Sequence, residues 1–150
     1  MRLVIQRVTE ASVTAGDMTV ATGPGLAVLW AAAESDDERH IDKLAQKTAG
    51  LRIFEDEQGR MNRSAVQCGY DILVIPNFTL CADASHGLRP SFTGAAAPEK
   101  AQELFAAYLS ALRTTDGLGR IEQGFFGETM QLELRCHGPV TIILDTEDWK

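Results

Sequence analysis

Cysteine, proline and aromatic residues are sparse in this chain, and each scarcity closes off a class of protein. The three cysteines among 150 residues, Cys68, Cys81 and Cys136, stand at no metal-ligand spacing and in odd number. Neither a disulfide framework nor a metal site is expected, and a reducing compartment is. Five prolines and 13 glycines without a repeating period exclude a collagen-like chain, and 45% apolar residues exclude a disordered one. Long hydrophobic runs are missing too. The stretch Leu26 to Ala33 falls far short of the ~20 residues of a membrane helix. Met1-Arg2-Leu3 leads directly into an alternating pattern rather than a signal peptide, so a cytoplasmic protein with no membrane partner is expected. Positive charge is in deficit: 14 Lys and Arg against 21 Asp and Glu give a net charge of −7. That balance opposes extensive wrapping by nucleic acid, yet a few local cations and backbone amides suffice to grip a short single-stranded end.

No linker, charge run or internal repeat divides the chain, and residues 1–150 read as one domain. Leu3, Ile5, Val8, Ala11 and Val13 keep nearly a period of two with one slip near Arg7, the pattern of a half-buried strand that bends. Ala15-Gly16-Asp17 turns it into a second strand, Met18 to Ala21. Gly23-Pro24-Gly25 then breaks the chain before Leu26 to Ala33, which suits a strand covered on both faces. Ser35 and Glu38 form a candidate capping box ahead of a helix in which Ile41, Leu44, Ala45 and Thr48 share a face up to Gly50. Strands are expected over Leu51 to Phe54 and Ile72 to Ile75. A second helix opens at Pro98 and aligns Ala101, Leu104, Phe105, Tyr108 and Leu112. Ile121 to Gln123, Met130 to Cys136 and Val140 to Leu144 read as three further strands. The expected fold is mixed, β-rich α/β: a layered β-sheet sandwich with two main helices. Two helices cannot cover so much sheet, so part of it must pack on another sheet or on a second copy of the chain, and a homodimer is expected.

Acid-base chemistry is sought first at the histidines. His40 belongs to a charged helical stretch and reads as solvated. His86 lies in the polar loop Asp83 to Gly87, where a substrate contact competes with a plain loop role. His137 adjoins Cys136, but neighbours on a strand point to opposite faces, which disfavours a thiolate–imidazole pair. Two other segments are candidates. Pro76-Asn77-Phe78-Thr79-Leu80 carries an amide and a hydroxyl at the end of a hydrophobic strand, where sites are commonly built; the plain alternative is a strand terminator and a turn. Gly138-Pro139-Val140-Thr141 is a rigid, side-chain-poor corner that can offer main-chain carbonyls as a fixed wall around an α-carbon; its plain alternative is a turn entering a strand.

Six stretches, in this order and spacing, closely resemble the D-aminoacyl-tRNA deacylases: Ile5-Gln6-Arg7-Val8, Leu51 to Asp56, Asn77 to Leu80, Arg89 to Phe92, Phe126-Gly127 with Met130-Gln131, and Gly138 to Thr141. The similarity runs from Met1 to about Asp145. It implies a homodimer, without cofactor or metal, that binds the acceptor end of aminoacyl-tRNA. Its reaction would be hydrolysis of the ester of a D-amino acid, or of glycine misplaced on the alanine tRNA, a proofreading step that releases amino acid and tRNA. By this resemblance Asn77, Phe78 and Thr79 form the catalytic strand end. Gly138, Pro139, Val140 and Thr141, with Met130 and Arg7, contact or shape the substrate. The Gly-Pro corner, with a cis bond, would enter the partner's pocket to exclude L-amino acids, and Arg7 would hold that loop. Where the family reads Ser-Gln, this chain has Pro76-Asn77, and Cys136 stands where Asn is usual. A sibling branch that removes L-alanine from mismatched tRNA carries proline at the position of Pro76 and a trans Gly-Pro bond, whereas Phe78 and Val140 follow the D-specific pattern. Other classes of answer are an RNA-end binding module without turnover and a hydrolase using Cys81 or Cys136.

Overall fold

The computed structural model describes residues 1–149. Its framework is a six-stranded sheet built on one long strand, β1 (Arg2–Ala15). On one edge β1 pairs antiparallel with two strands in succession. Its first half runs against β3 (Gly25–Ala31), with Arg2 opposite Ala31, and its second half against β2 (Met18–Thr22), with Ala15 opposite Met18. β3 pairs parallel with β6 (Asp71–Pro76), and β6 with β7 (Ile121–Gln123). The other edge of β1 pairs along its length with β8 (Gln131–Asp145). A separate ribbon joins β4 (Phe54–Glu55) to β5 (Met61–Arg63).

The helices are α1 (Ile41–Gly50), a single turn α2 (Ala65–Cys68) and α3 (Pro98–Arg113). Alternate residues of the strands serve two cores. Leu3, Ile5, Leu26, Val28, Trp30, Ile72 and Val74 pack beneath α1 and α3 with Leu44, Phe105, Tyr108 and Leu112. The opposite positions, Ala27, Leu73 and Ile75, join Val8, Ala11 and Val13 in a second cluster, closed by the sheet curling so that β2 approaches β6 and β7. Residues 3 and 5 face the helices but 11 and 13 face the second cluster, because register shifts at residues 6–10 of β1 move the pleat by one.

Four expectations are corrected. Met130–Cys136 and Val140–Leu144 are one strand, β8, interrupted only by a bulge. Of Leu51 to Phe54 only Phe54 is paired. The cap ahead of the first helix is Asp37, whose carboxylate accepts from the Arg39 amide, rather than Ser35 with Glu38. The true capping box lies at Ser64 and Gln67, opening the third, unanticipated helix α2.

Candidate active site

β6 runs under both cores as Ile72-Leu73-Val74-Ile75, fully buried, and surfaces at Pro76. There the Asn77 amide donates to the carbonyl of Trp30 at 2.7 Å, which ties the strand end to β3. The chain then makes one 3-10 turn, Phe78–Cys81, closed by the Leu80 amide on the Asn77 carbonyl and the Ala82 amide on that of Thr79. No side chain caps its start, so its leading amides, those of Phe78 and Thr79, are free to meet a ligand. Thr79 Oγ1 donates to Asn77 Oδ1 at 2.5 Å. Phe78 is 60% exposed and meets Phe92 edge to face, with ring centroids 5.4 Å apart.

Of this turn, Phe78 lines a cavity of about 550 Å³, and Thr79 lies outside the lining. Trp30, Ala31 and Ala32 form one side, Pro76, Asn77 and Phe78 another, and the loop around Phe92 with Pro98, Phe126 and Gly127 the rest. Almost all of that lining is apolar, which excludes water from a bound carbonyl and strengthens any hydrogen bond made to it. Met130 stands just outside. Its sulfur accepts from the Phe125 amide at 3.2 Å, and a Cβ placed on Gly124 would come within 3.1 Å of that sulfur and 3.2 Å of Pro76 Cδ, so the segment after β7 is pressed against the strand end.

The second candidate segment lies elsewhere. Gln6 is opposite Thr141 and Val8 opposite Cys136, so residues 137–140 bulge out of β8 over Arg7. The Gly138–Pro139 bond is cis. Gly138 has φ +130°, and a Cβ there would lie 2.9 Å from both the amide and Cγ2 of Val140, which only glycine escapes. Arg7, 6% exposed, holds the bulge from below: Nε donates to the His137 carbonyl at 3.0 Å and Nη1 to that of Ile53 at 2.8 Å. Thr141 Oγ1 donates to Gln6 Oε1 at 2.8 Å. Gly138 and Pro139 are exposed. None of Arg7 or Gly138 to Thr141 lines the cavity beside Phe78.

The two segments are thus each assembled but not brought together within one chain. The walls at Trp30 to Ala32 and Ala95 to Ala97 carry no sequence signal beyond apolarity, and Pro98 reads only as a helix start. Phe92, Phe126 and Gly127 were visible only as parts of the resemblance. Burial pushes the Cys81 thiol above its ordinary range, and its sulfur is 3.5 Å from the Ala32 carbonyl, so it is no activated nucleophile. Cys136 and His137 are exposed, and so is His86, while His40 packs its ring edge on Trp149.

A family model described as D-Tyr-tRNA(Tyr) deacylase matches residues 4–145. A D-aminoacyl-tRNA deacylase of Deinococcus deserti is 50% identical over 97% of this chain and 99% of its own, and one from Chlorobaculum parvum 48% over 97% and 98%. Among solved structures, a c-Myc DNA unwinding element binding protein superposes with a TM-score of 0.90 at 37% identity, covering 97% of this chain and 98% of its own. A probable eukaryotic D-amino acid tRNA deacylase, 17% identical and covering 95% and 97%, shares the fold with a TM-score of 0.83. With the match spanning nearly every element from β1 to the end of β8, the chain belongs to the D-Tyr-tRNA(Tyr) deacylase family.

Proposed function

We propose that this protein is an aminoacyl-tRNA deacylase that hydrolyses the ester between a D-amino acid and the terminal adenosine of tRNA. The observation that carries the chemistry is the uncapped turn Phe78–Cys81 at the edge of an apolar cavity. Water adds to the ester carbonyl, the bond to the ribose 3′-oxygen breaks, and that oxygen takes a proton. The negative charge that develops on the carbonyl oxygen is met by the amides of Phe78 and Thr79, donors typically worth ~10²–10³ in rate each. Thr79 is not the attacking group. Its proton is directed at the Asn77 carboxamide, an acceptor too weak to serve as a base. The ribose 2′-hydroxyl beside the ester is the remaining group able to guide water, and Asn77, Phe78 and Thr79 position the acyl end. Free D-amino acid and tRNA are the products, and the place of action is the cytoplasm, where aminoacyl-tRNA is used.

The Gly138–Pro139 bulge projects away from its own sheet, and a second copy of the chain gives it a use: as a main-chain wall across that copy's cavity. Arg7 stiffens the wall from beneath, Val140 and Thr141 hold its far side, and Met130 backs the strand end. An L side chain would have to occupy the volume of the wall, and overlap rises more steeply than any attraction it could gain. Glycine, lacking a side chain, would pass the same wall.

The test compares D-Tyr-tRNA, L-Tyr-tRNA, Gly-tRNA(Ala) and L-Ala-tRNA at equal enzyme. Fast release from the D-Tyr and Gly esters with slow release from both L esters is expected. Preferential cleavage of L-Ala-tRNA would assign the chain to the sibling activity that Pro76 matches, and tight binding of all four without turnover would leave an RNA-end binding module.

A further inference from the structure

The turn that carries Phe78 and Thr79 is fastened at three points. At its start, the Asn77 amide is bound to β3 through Trp30. On its inner side, the Cys81 thiol reaches the Ala32 carbonyl, a weak donor at 3.5 Å. At its far end, the Leu80 carbonyl accepts from Arg2 Nη1 at 2.9 Å, across 78 residues of chain. This third tie is charge-assisted and therefore the strongest of the three.

The guanidinium is itself fixed. Arg2 Nε donates to Asp145 Oδ2 at 2.7 Å, and the two residues stand directly opposite each other where β1 meets β8. The hydrogen bond it donates to Asp145 holds the Arg2 guanidinium above its ordinary range, so it is charged at every working pH. Arg2 is 46% exposed and Asp145 16%, and a partly solvated pair of this kind adds little to global stability. Its geometry nevertheless places a cation on a carbonyl at the end of a short turn, where the last carbonyls lack partners and a positive charge is favoured. The Thr79 and Phe78 amides are only one and two residues from Leu80, so any swing of the turn about Asn77 moves them.

We propose that Arg2, held by Asp145, is a positioning residue that fixes the orientation of the Phe78–Cys81 turn and so aims its leading amides. Arg2 lines no part of the cavity beside Phe78. The proposal rests on the deacylase reading of the turn, yet the tie itself can be measured without substrate.

Two readouts test it on the full chain. In Arg2→Ala, kcat for D-Tyr-tRNA is expected to fall about tenfold with KM within about twofold, the loss of one charge-assisted hydrogen bond acting on orientation rather than affinity. Hydrogen exchange of the Leu80 and Ala82 amides is expected to quicken about tenfold while β6 and α3 are unchanged. Arg2→Lys restores part of both effects, and Asp145→Asn, which keeps size but frees the guanidinium, gives the same pattern more weakly. If Arg2→Ala does not fold, Asp145→Asn carries the test. A folded variant with wild-type kcat and wild-type exchange in the turn overturns the proposal, as does a uniform rise in exchange across the sheet, which would make Arg2 a general stabiliser. Failure of the wild-type protein to hydrolyse any ester would remove the deacylase reading alone, and the exchange experiment would still decide whether Arg2 holds the turn.

Discussion

Thr79 and Asn77 sit two residues apart and share one short hydrogen bond, so their roles separate by what each can donate. Thr79→Ala removes a hydroxyl whose proton is already committed to Asn77, and deacylation is expected to survive within about tenfold of wild type. A substrate ending in 2′-deoxyadenosine, which lacks the neighbouring hydroxyl, is expected to lose about 10²-fold or more, the usual weight of a proton-handling group. Single-turnover rates with the two RNAs decide the matter: equal rates would remove the ribose from the mechanism. At this scale the sequence was partly legible. Asn77 to Thr79 stood out as an amide and a hydroxyl at the end of a hydrophobic strand, and the Gly138 corner by its Gly-Pro pair, whereas Arg7 was visible only through the family resemblance. Trp30 and Ala32 did not stand out, because a cavity wall is written in the same apolar letters as a core.

Asp71 opens β6 and ties two loops to it through one carboxylate. It accepts from the Gly23 amide at 2.9 Å, the Arg120 amide at 2.8 Å and the Arg120 guanidinium at 3.3 Å. Burial pushes its carboxyl up, but the two amides and the Arg120 charge outweigh burial and hold it below the ordinary carboxylate range. A depressed carboxyl contributes stability that is complete above its unfolded value of about 3.9 and is lost as pH falls through the folded value. Asp71→Asn is therefore expected to cost about 1–2 kcal/mol at pH 7 and to flatten the fall of Tm below about pH 4, measured by thermal melts as the pH is lowered. Helices α1 and α3 were readable because each buries one strict 3.6-residue face. β8 was read as two strands because Gly138-Pro139 punctuates it, although ladder pairing resumes on both sides of the bulge. Ser35 lost the capping position to Asp37, and Asp36 next to it is nearly buried on the Met1 amine and Thr146. Sequence spacing does not reveal which of three adjacent polar residues turns inward.

The whole molecule presents a strand with one free edge. Among the described residues β8 pairs only with β1, and its Leu132 and Ile143 are 38% and 66% exposed. The Gly138–Pro139 bulge lies on the same strand, so this edge is where the second copy proposed above would dock. Sedimentation velocity at micromolar concentration is expected to show a dimer. A monomer that still distinguishes D-Tyr-tRNA from L-Tyr-tRNA would defeat the cross-subunit wall. The ratio of strands to helices required sheet to pack on sheet or on a second copy, and the curling of β2 toward β6 and β7 meets the first alternative; which edge stays open was not legible, since exposure is a property of the folded shape.

The pairing of Arg2 with Asp145 has a consequence for biosynthesis. β1 leaves the ribosome long before β8, so one whole margin of it stays unsatisfied until β8 has been translated, and such distant partners close slowly. Throughout that interval the nascent chain displays a fourteen-residue template on which a neighbouring unfinished chain could dock.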